Sequence, residues 1–333
     1  MRLLAAAICA TAAIGCAAAA PAFDWGLPAG VAPPPVPADN PMSQAKVELG
    51  RRLFYDADLS IDGTLSCASC HEQHRAFAHS NATRPGVREA PGRRNPMGLA
   101  NVGYFTRFTW ADPKLASLEE QAGVPITGLH PVEMGMHGQE TEIVRRLGSD
   151  ACYRRMFAAA FPETGGEVSF VATTKAIAAF QRTLISFSSP YDAYLRGDRS
   201  AISETARRGE RRFRETGCSQ CHAGTSFTDG EYHVIAPSRG GDEGAYEKTG
   251  LPVDRAAFRT PSLRNVGLTA PYLHDGSAKT LRTAIGAHEG LAGMTDQDLT
   301  EIEAFLAALT DPAFIADERH SVPKTFCGAP RVR

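Results

Sequence analysis

The chain has 333 residues, 43% of them hydrophobic and 22% charged, which is long enough for two domains that each bury a core. Its net charge of −2 and sequence pI near 6.6 exclude the strong basic footprint of a nucleic-acid-binding protein.

Residues 1–22 read as an export signal. Arg2 is their only charge, an alanine-rich apolar run follows, and Ala20-Pro21-Ala22 resembles a small-residue cleavage site. This predicts a periplasmic protein. Gly15-Cys16 leaves the alternative of a lipid anchor at Cys16, although the leucine expected before it is absent. Residues 23–41 are rich in Pro and Gly and read as an extended lead-in. Pro41 then opens a predicted helix carrying Val47, Leu49, Leu53 and Phe54 at helical spacing.

Cys67-Ala-Ser-Cys70-His71 is the attachment signature of a c-type haem. Two thioethers fix the porphyrin to one helical turn, and His71 takes one axial position of the iron. Cys-x-x-Cys also opens many zinc sites, but zinc needs a second such pair without the following His. The chain instead repeats the whole signature at Cys218-Ser-Gln-Cys221-His222. Two covalent haem c groups are therefore expected, which fits export, because these thioethers are made outside the cytoplasm. Of the other cysteines, Cys9 and Cys16 fall in the signal. Cys152 and Cys327 can form a disulfide in an oxidising compartment or remain buried thiols.

Between the motifs, residues 77–95 read as a polar loop over the first haem. Ser117 with Glu120 forms a possible capping box for a helix from Leu118. Asp150 can cap a helix through Phe157, and residues 169–186 read as a longer amphipathic helix. Ser203 caps a predicted helix to about Arg214 that leads into the second motif. Residues 223–256 read as a long loop near the second haem. The last strong helix begins near Thr295, with a stripe of Ile302, Phe305, Leu306 and Leu309. Few strand patterns occur. The expected fold is mainly α, with two cytochrome c-like haem domains, residues 23–200 and 201–333.

The surroundings of the two motifs differ. A haem with two protein ligands passes electrons, whereas one with an open axial position can do chemistry there. Residues 81–101 hold no His or Met able to reach back over the first iron apart from Met97. His74 and His79 lie too near the attachment site and read as surface or propionate-side histidines. The first haem is thus the candidate for the open one.

In these motifs the chain resembles the bacterial diheme cytochrome c peroxidases and their MauG-like relatives. The matching residues are both haem motifs, Arg75-Ala-Phe77, Arg93-Arg-Asn95, Trp110, Leu118-Glu-Glu-Gln121, Pro131-Val-Glu-Met134, Thr260-Pro-Ser-Leu-Arg-Asn265, Leu268-Thr-Ala-Pro-Tyr272 and His274-Asp-Gly276. Phe23-Asp-Trp25, residues 36–42 and Trp110-Ala-Asp-Pro113 look closest to the methanobactin-associated (MbnH) group, because the tryptophan elsewhere precedes Asp-Gly. The resemblance implies that Glu133 is a distal-pocket acid shuttling a proton during peroxide cleavage, with Gln121 in the same pocket. It implies that Trp110 is an aromatic relay between the haems, and that Asn95, Thr269 and Pro271 give oxygen donors to calcium, whose preference for carbonyl and amide oxygens suits them.

The second haem is where the chain departs from that family. Counting on from Pro271, the family's Met or Tyr ligand falls at His288, which implies a bis-histidine haem. Met294 is the runner-up, although it reads as a hydrophobic staple before the Thr295 cap, and Tyr272 ranks below it. The implied function is an exported diheme oxidoreductase using hydrogen peroxide to oxidise a residue of a partner protein. That residue could be a tryptophan of a copper-binding protein. The alternatives are a peroxidase fed by a small cytochrome or cupredoxin and a non-catalytic diheme electron carrier.

Overall fold

A computed structural model describes residues 23–235, 241–291, 293–327 and 329–330. The stretch expected to be an export signal, with Cys16, lies outside the described residues. Helices dominate, and the described strands are two-residue pairs: β1 (Tyr232–His233) with β2 (Phe258–Arg259), and β3 (Thr325–Phe326) with β4 (Ala329–Pro330).

In the N-terminal half, α1 (Gln44–Phe54) starts at the Ser43 cap, whose hydroxyl accepts from Lys46 N, three residues later than Pro41 suggests. Next come α2 (Leu118–Thr127), α3 (Glu140–Ser149), α4 (Ala151–Ala160) and α5 (Phe170–Arg182). Ser117, Asp150 and Ser169 cap α2, α4 and α5 through their side-chain oxygens. The Ser117 box is one-sided, because Glu120 turns to Ala116 N. Helix α5 stops at Arg182, short of Ser186, and α3 has no counterpart in the sequence reading. Its Ile143 and Leu147 are the buried pair on an otherwise charged helix, too thin a stripe to signal one.

The C-terminal half holds α6 (Pro190–Leu195), α7 (Glu204–Glu215), α8 (Tyr246–Thr249), α9 (Leu281–Gly286), α10 (Asp296–Ala307) and α11 (Pro312–Ala316). Ser203 caps α7, and Thr295 with Asp298 forms a reciprocal capping box on α10. The predicted loop of residues 223–256 contains β1 and α8.

One helix crossing occurs twice. Helix α1 meets α5 at Gly50, where a Cβ would lie 1.8 Å from Ala176 O; α7 meets α10 at Gly209, where a Cβ would lie 1.8 Å from Glu301 O. Only glycine allows backbones to approach so closely. Four residues beyond each glycine a phenylalanine packs edge-on against the opposite helix, Phe54 on Phe180 and Phe213 on Phe305, both at 5.3 Å. Each crossing also has a left-handed asparagine nearby. Asn101 N donates to Leu184 O, Asn265 N donates to Leu309 O, and their side chains bind Ser186 and Asp311.

Two apolar clusters result, one around Phe54, Phe77 and Phe180 and one around Phe213, Phe305 and Leu306. The C-terminal segment returns to the first of these. Phe314 packs on Phe77, Tyr55 donates to His320 O, and Cys152 and Cys327 form a disulfide, which settles the pairing left open by the sequence.

Candidate active site

Both attachment motifs fold as a single 3₁₀ turn, Cys67–Ser69 and Cys218–Gln220, so each pair of sulfurs lies on one side of a turn. None of the four is in a disulfide. His71 N and His222 N donate back to the first cysteine's carbonyl, which closes each turn. The imidazoles are oriented alike. His71 Nδ1 is 2.7 Å from Phe77 O and His222 Nδ1 is 3.2 Å from Phe227 O, and both phenylalanines have left-handed backbones that turn their carbonyls towards the ring. A hydrogen bond at Nδ1 fixes the tautomer and leaves Nε2 as the metal-binding nitrogen. Burial pushes both histidines down, His222 to about 4, so each is held as the neutral imidazole that binds metal.

The second motif opens onto a cavity of about 340 Å³ lined by Cys218, Cys221, His222 and His288 together with Phe213, Leu281 and Leu306. The ring centroids of His222 and His288 lie 6.4 Å apart, with the ring planes inclined at 61°. A metal about 2.0 Å from one nitrogen of each ring requires roughly 6.3 Å between centroids, so the pair fits an iron between them. His288 Nδ1 lies 3.0 Å from Ala284 O, one turn back at the end of α9, which again leaves Nε2 free. Met294 packs against the apolar cluster of the C-terminal half, and the Tyr272 hydroxyl donates to Val266 O. An apolar cavity, two attachment sulfurs and two imidazoles at that separation suit a haem c. Among the described residues, one other group could hold a metal, Cys221 with Asp229 and His233, and it uses a cysteine of the attachment motif.

Around the first motif the groups differ. Glu133 is half-buried, and burial raises its pKa above the ordinary glutamate value. Burial pushes the Cys67 thiol up to about 12 and Cys70 to about 11, and the Glu133 carboxylate adds to both, which places that acid beside the attachment site. The loop carrying it is pinned at several points. Met134 N donates to Pro125 O, Ile61 N to Met134 O and Val87 N to Glu133 O. Pro125 lies inside α2 and has no N–H, so the Gln121 carbonyl loses its helical partner. The Gln121 side chain is half-buried, and no hydrogen bond joins it to Glu133 among the described residues.

Met97 directs its sulfur to Arg259 Nη2 at 3.2 Å. His74 is exposed. His79 is buried rather than at the surface, with its Nδ1 accepting from Asn81 N. Near the first motif the buried imidazole of His79 has both nitrogens engaged, Nδ1 by Asn81 N and Nε2 3.5 Å from Glu72 Oε1. Glu133 is the acid nearby, whereas at the second motif His288 leaves Nε2 free.

Trp110, Asn95, Thr269 and Pro271 line the second cavity together. The Trp110 indole N–H donates to Asn95 O at 2.7 Å, and Asn95 N donates to His274 O. The Asn95 amide nitrogen is engaged by the carbonyls of Asn81 and Ala82, which leaves its oxygen available as a donor to a cation. Arg259 lies beside them. It is buried, and the sequence did not single it out, although it directly precedes the Thr260-Pro-Ser-Leu-Arg-Asn265 run.

Residues 44–200 match the family model of the di-haem cytochrome c peroxidases. The chain is 33% identical to the methylamine utilization protein MauG of Methylophilus methylotrophus, covering 85% of this chain and 84% of that one. It is 34% identical to the cytochrome c551 peroxidase of Pseudomonas aeruginosa, covering 81% and 80%. Its structure is similar to the crystal structure of a MauG-like protein associated with microbial copper homeostasis. The TM-score is 0.83, with 39% identity over 91% of this chain and 99% of that one.

Proposed function

The chain belongs to the di-haem cytochrome c peroxidase family that includes the MauG proteins, and from that premise we propose that it uses hydrogen peroxide to oxidise a residue of a partner protein. Family membership makes it a diheme oxidoreductase with two c-type haems. The finer reading assigns Cys67, Cys70 and His71 to an open-sided haem in residues 23–200. It assigns Cys218, Cys221, His222 and His288 to a bis-histidine haem in residues 201–333. When bound, the first haem supplies an iron at which peroxide is reduced, and the second holds oxidising equivalents.

The chain's own groups do the rest. Glu133 takes a proton from the inner oxygen of peroxide and returns it to the departing outer oxygen, a general acid–base role that suits a carboxyl whose pKa burial has raised. Trp110, fixed by Asn95 O, offers a rigid aromatic path between the two sites. Asn95, Thr269 and Pro271 offer amide and carbonyl oxygens to a calcium ion, with no carboxylate among them. Export through residues 1–22 would bring the chain to the periplasm.

The observation that carries this reading is the asymmetry: two imidazoles 6.4 Å apart at one motif and a half-buried acid at the other. That asymmetry argues against a simple electron carrier. The likeness to a protein associated with microbial copper homeostasis favours a copper-binding partner, and in this reading the residue to be oxidised is a tryptophan. To test this, peroxide is added to the protein with the partner, and the partner's tryptic peptides are weighed. A mass change at one aromatic residue, dependent on both proteins, is expected. No mass change alongside rapid oxidation of a reduced small cytochrome or cupredoxin would favour the electron-fed peroxidase instead.

A further inference from the structure

Arg259 is 3% exposed, yet no ion pair among the described residues involves it. The residues outside the described set contain no aspartate or glutamate, so no side chain there can supply the missing charge. Its neutral partners are few. Nε donates to Thr109 O at 3.2 Å, Nη1 to Thr260 O at 3.5 Å, Nη2 to Met97 Sδ at 3.2 Å, and its backbone N donates to Trp110 O at 2.8 Å. The guanidinium also lies over the Phe105 ring, 5.5 Å from its centroid. Carbonyl dipoles and a thioether compensate a buried cation only in part, and burial pushes Arg259 down to about 10.

Arg259 faces the cavity that holds His222 and His288. Its partner across the β1–β2 pair is Tyr232, whose hydroxyl is buried with no hydrogen-bond partner among the described residues. A buried cation and an unanswered hydroxyl side by side call for an anion.

We propose that Arg259, with the Tyr232 hydroxyl, binds a carboxylate of the prosthetic group in the second cavity while its backbone and Nε fix the Thr109–Trp110 segment. The assignment rests on the reading of that cavity as a haem site. Haem c carries two carboxylates and no other anionic group, and guanidinium matches a carboxylate in geometry and charge. Arg259 is thereby a positioning residue that links the second haem to Trp110 and sets the electrostatic potential at its iron.

The holoprotein is titrated by spectroelectrochemistry at the low-spin haem in wild type, Arg259→Gln, Arg259→Lys, Tyr232→Phe and His288→Ala. Removing a buried cation favours the ferric state. Arg259→Gln is expected to shift the ferric/ferrous equilibrium at least tenfold towards ferric, about 59 mV for a one-electron couple. Arg259→Lys should stay within about threefold of wild type. An unchanged potential in Arg259→Gln with both haems present overturns the assignment, as does an equal shift in Arg259→Lys. If Arg259→Gln fails to incorporate the second haem, Tyr232→Phe decides: a shift of about threefold the same way supports the assignment, and no shift overturns it. If His288→Ala leaves the low-spin signal intact, the haem reading of the cavity falls and the assignment with it. If that signal is lost while Arg259→Gln is silent, the assignment alone fails.

Discussion

The loop that carries Glu133 rests on Gly86, and this gives a way to move the acid without altering it. A Cβ at Gly86 would lie 2.1 Å from Val132 O and 2.9 Å from Glu133 Cα, whereas ordinary contact begins at 3.4 Å. The carbonyl therefore has to retreat by about 1.3 Å. Gly86 has an ordinary negative φ of −76°, so alanine is acceptable to its own backbone and the cost goes into displacing the loop. A shift of about 1 Å in a positioned group can cost roughly 100-fold in rate, or about 2.7 kcal/mol of barrier. Stopped-flow absorbance at the Soret band measures the second-order reaction with peroxide, and Gly86→Ala should slow it about 100-fold with both haems retained. On a Glu133→Gln background the same change should cost far less, because both substitutions act through one carboxyl group. Gly86→Ala protein that holds both haems and reacts within threefold of wild type would refute the reasoning.

Glu133→Gln should itself slow the peroxide step roughly 10²–10⁴-fold. Burial raises Glu133, and in the proposed role its carboxylate accepts the proton, so the wild-type rate should fall as pH drops through that raised pKa, and the variant's profile should be flat there. A raised folded-state pKa gives stability that is present in acid and lost as pH rises through it. Glu133→Gln should therefore melt higher than wild type at neutral pH but not in acid. His288→Ala should turn the second haem high-spin and Met294→Leu should not, as electron paramagnetic resonance will report. Loss of the low-spin signal in the Met294 variant would reassign the ligand. Trp110→Phe should preserve the peroxide step but uncouple oxidation of the second haem, and equal oxidation of both haems would argue against the relay.

Much of this was legible because the signals are local. Ser117, Asp150, Ser203 and Thr295 each cap the helix they were expected to cap, since a cap depends on residues within one turn. Both Cys-x-x-Cys-His runs form single turns for the same reason. What was hidden depends on distant pairing. Gly50 and Gly209, Phe77 and Phe227, and Asn101 and Asn265 play matching parts, but the spacings between them differ in the two halves, so no fixed period exposes the repeat. Arg259 falls between the predicted loop of residues 223–256 and the Thr260 motif, and its burial goes with the pairing of Phe258 and Arg259 to residues 232–233. The proximity of His288 to His222 likewise follows from α9 closing over the cavity.

The repeated crossing also explains how one scaffold supports two unlike sites. Behind each motif the phenylalanine following the crossing lies 6.4 Å from the proximal ring, Phe54 from His71 and Phe213 from His222. The halves diverge in the chain between the left-handed asparagine and the second crossing helix. Residues 102–169 bring α2 and the Glu133 loop, whereas residues 266–295 bring α9 and His288. If the two crossings are equivalent, the same insult should cost the same in each. A methyl group at Gly50 or Gly209 sits 1.8 Å from a carbonyl oxygen and must gain about 1.6 Å to reach ordinary contact at 3.4 Å. That separation loosens Phe54 from Phe180 or Phe213 from Phe305, and overpacking of this kind costs about 1–3 kcal/mol. Gly50→Ala and Gly209→Ala should therefore lower stability by amounts agreeing within about 1 kcal/mol, read from denaturant midpoints followed by far-ultraviolet circular dichroism. Each should also disturb the Soret spectrum of its own haem and leave the other unchanged. If one variant is tolerated while the other unfolds, or if both perturb the same haem, the two crossings do not do the same work.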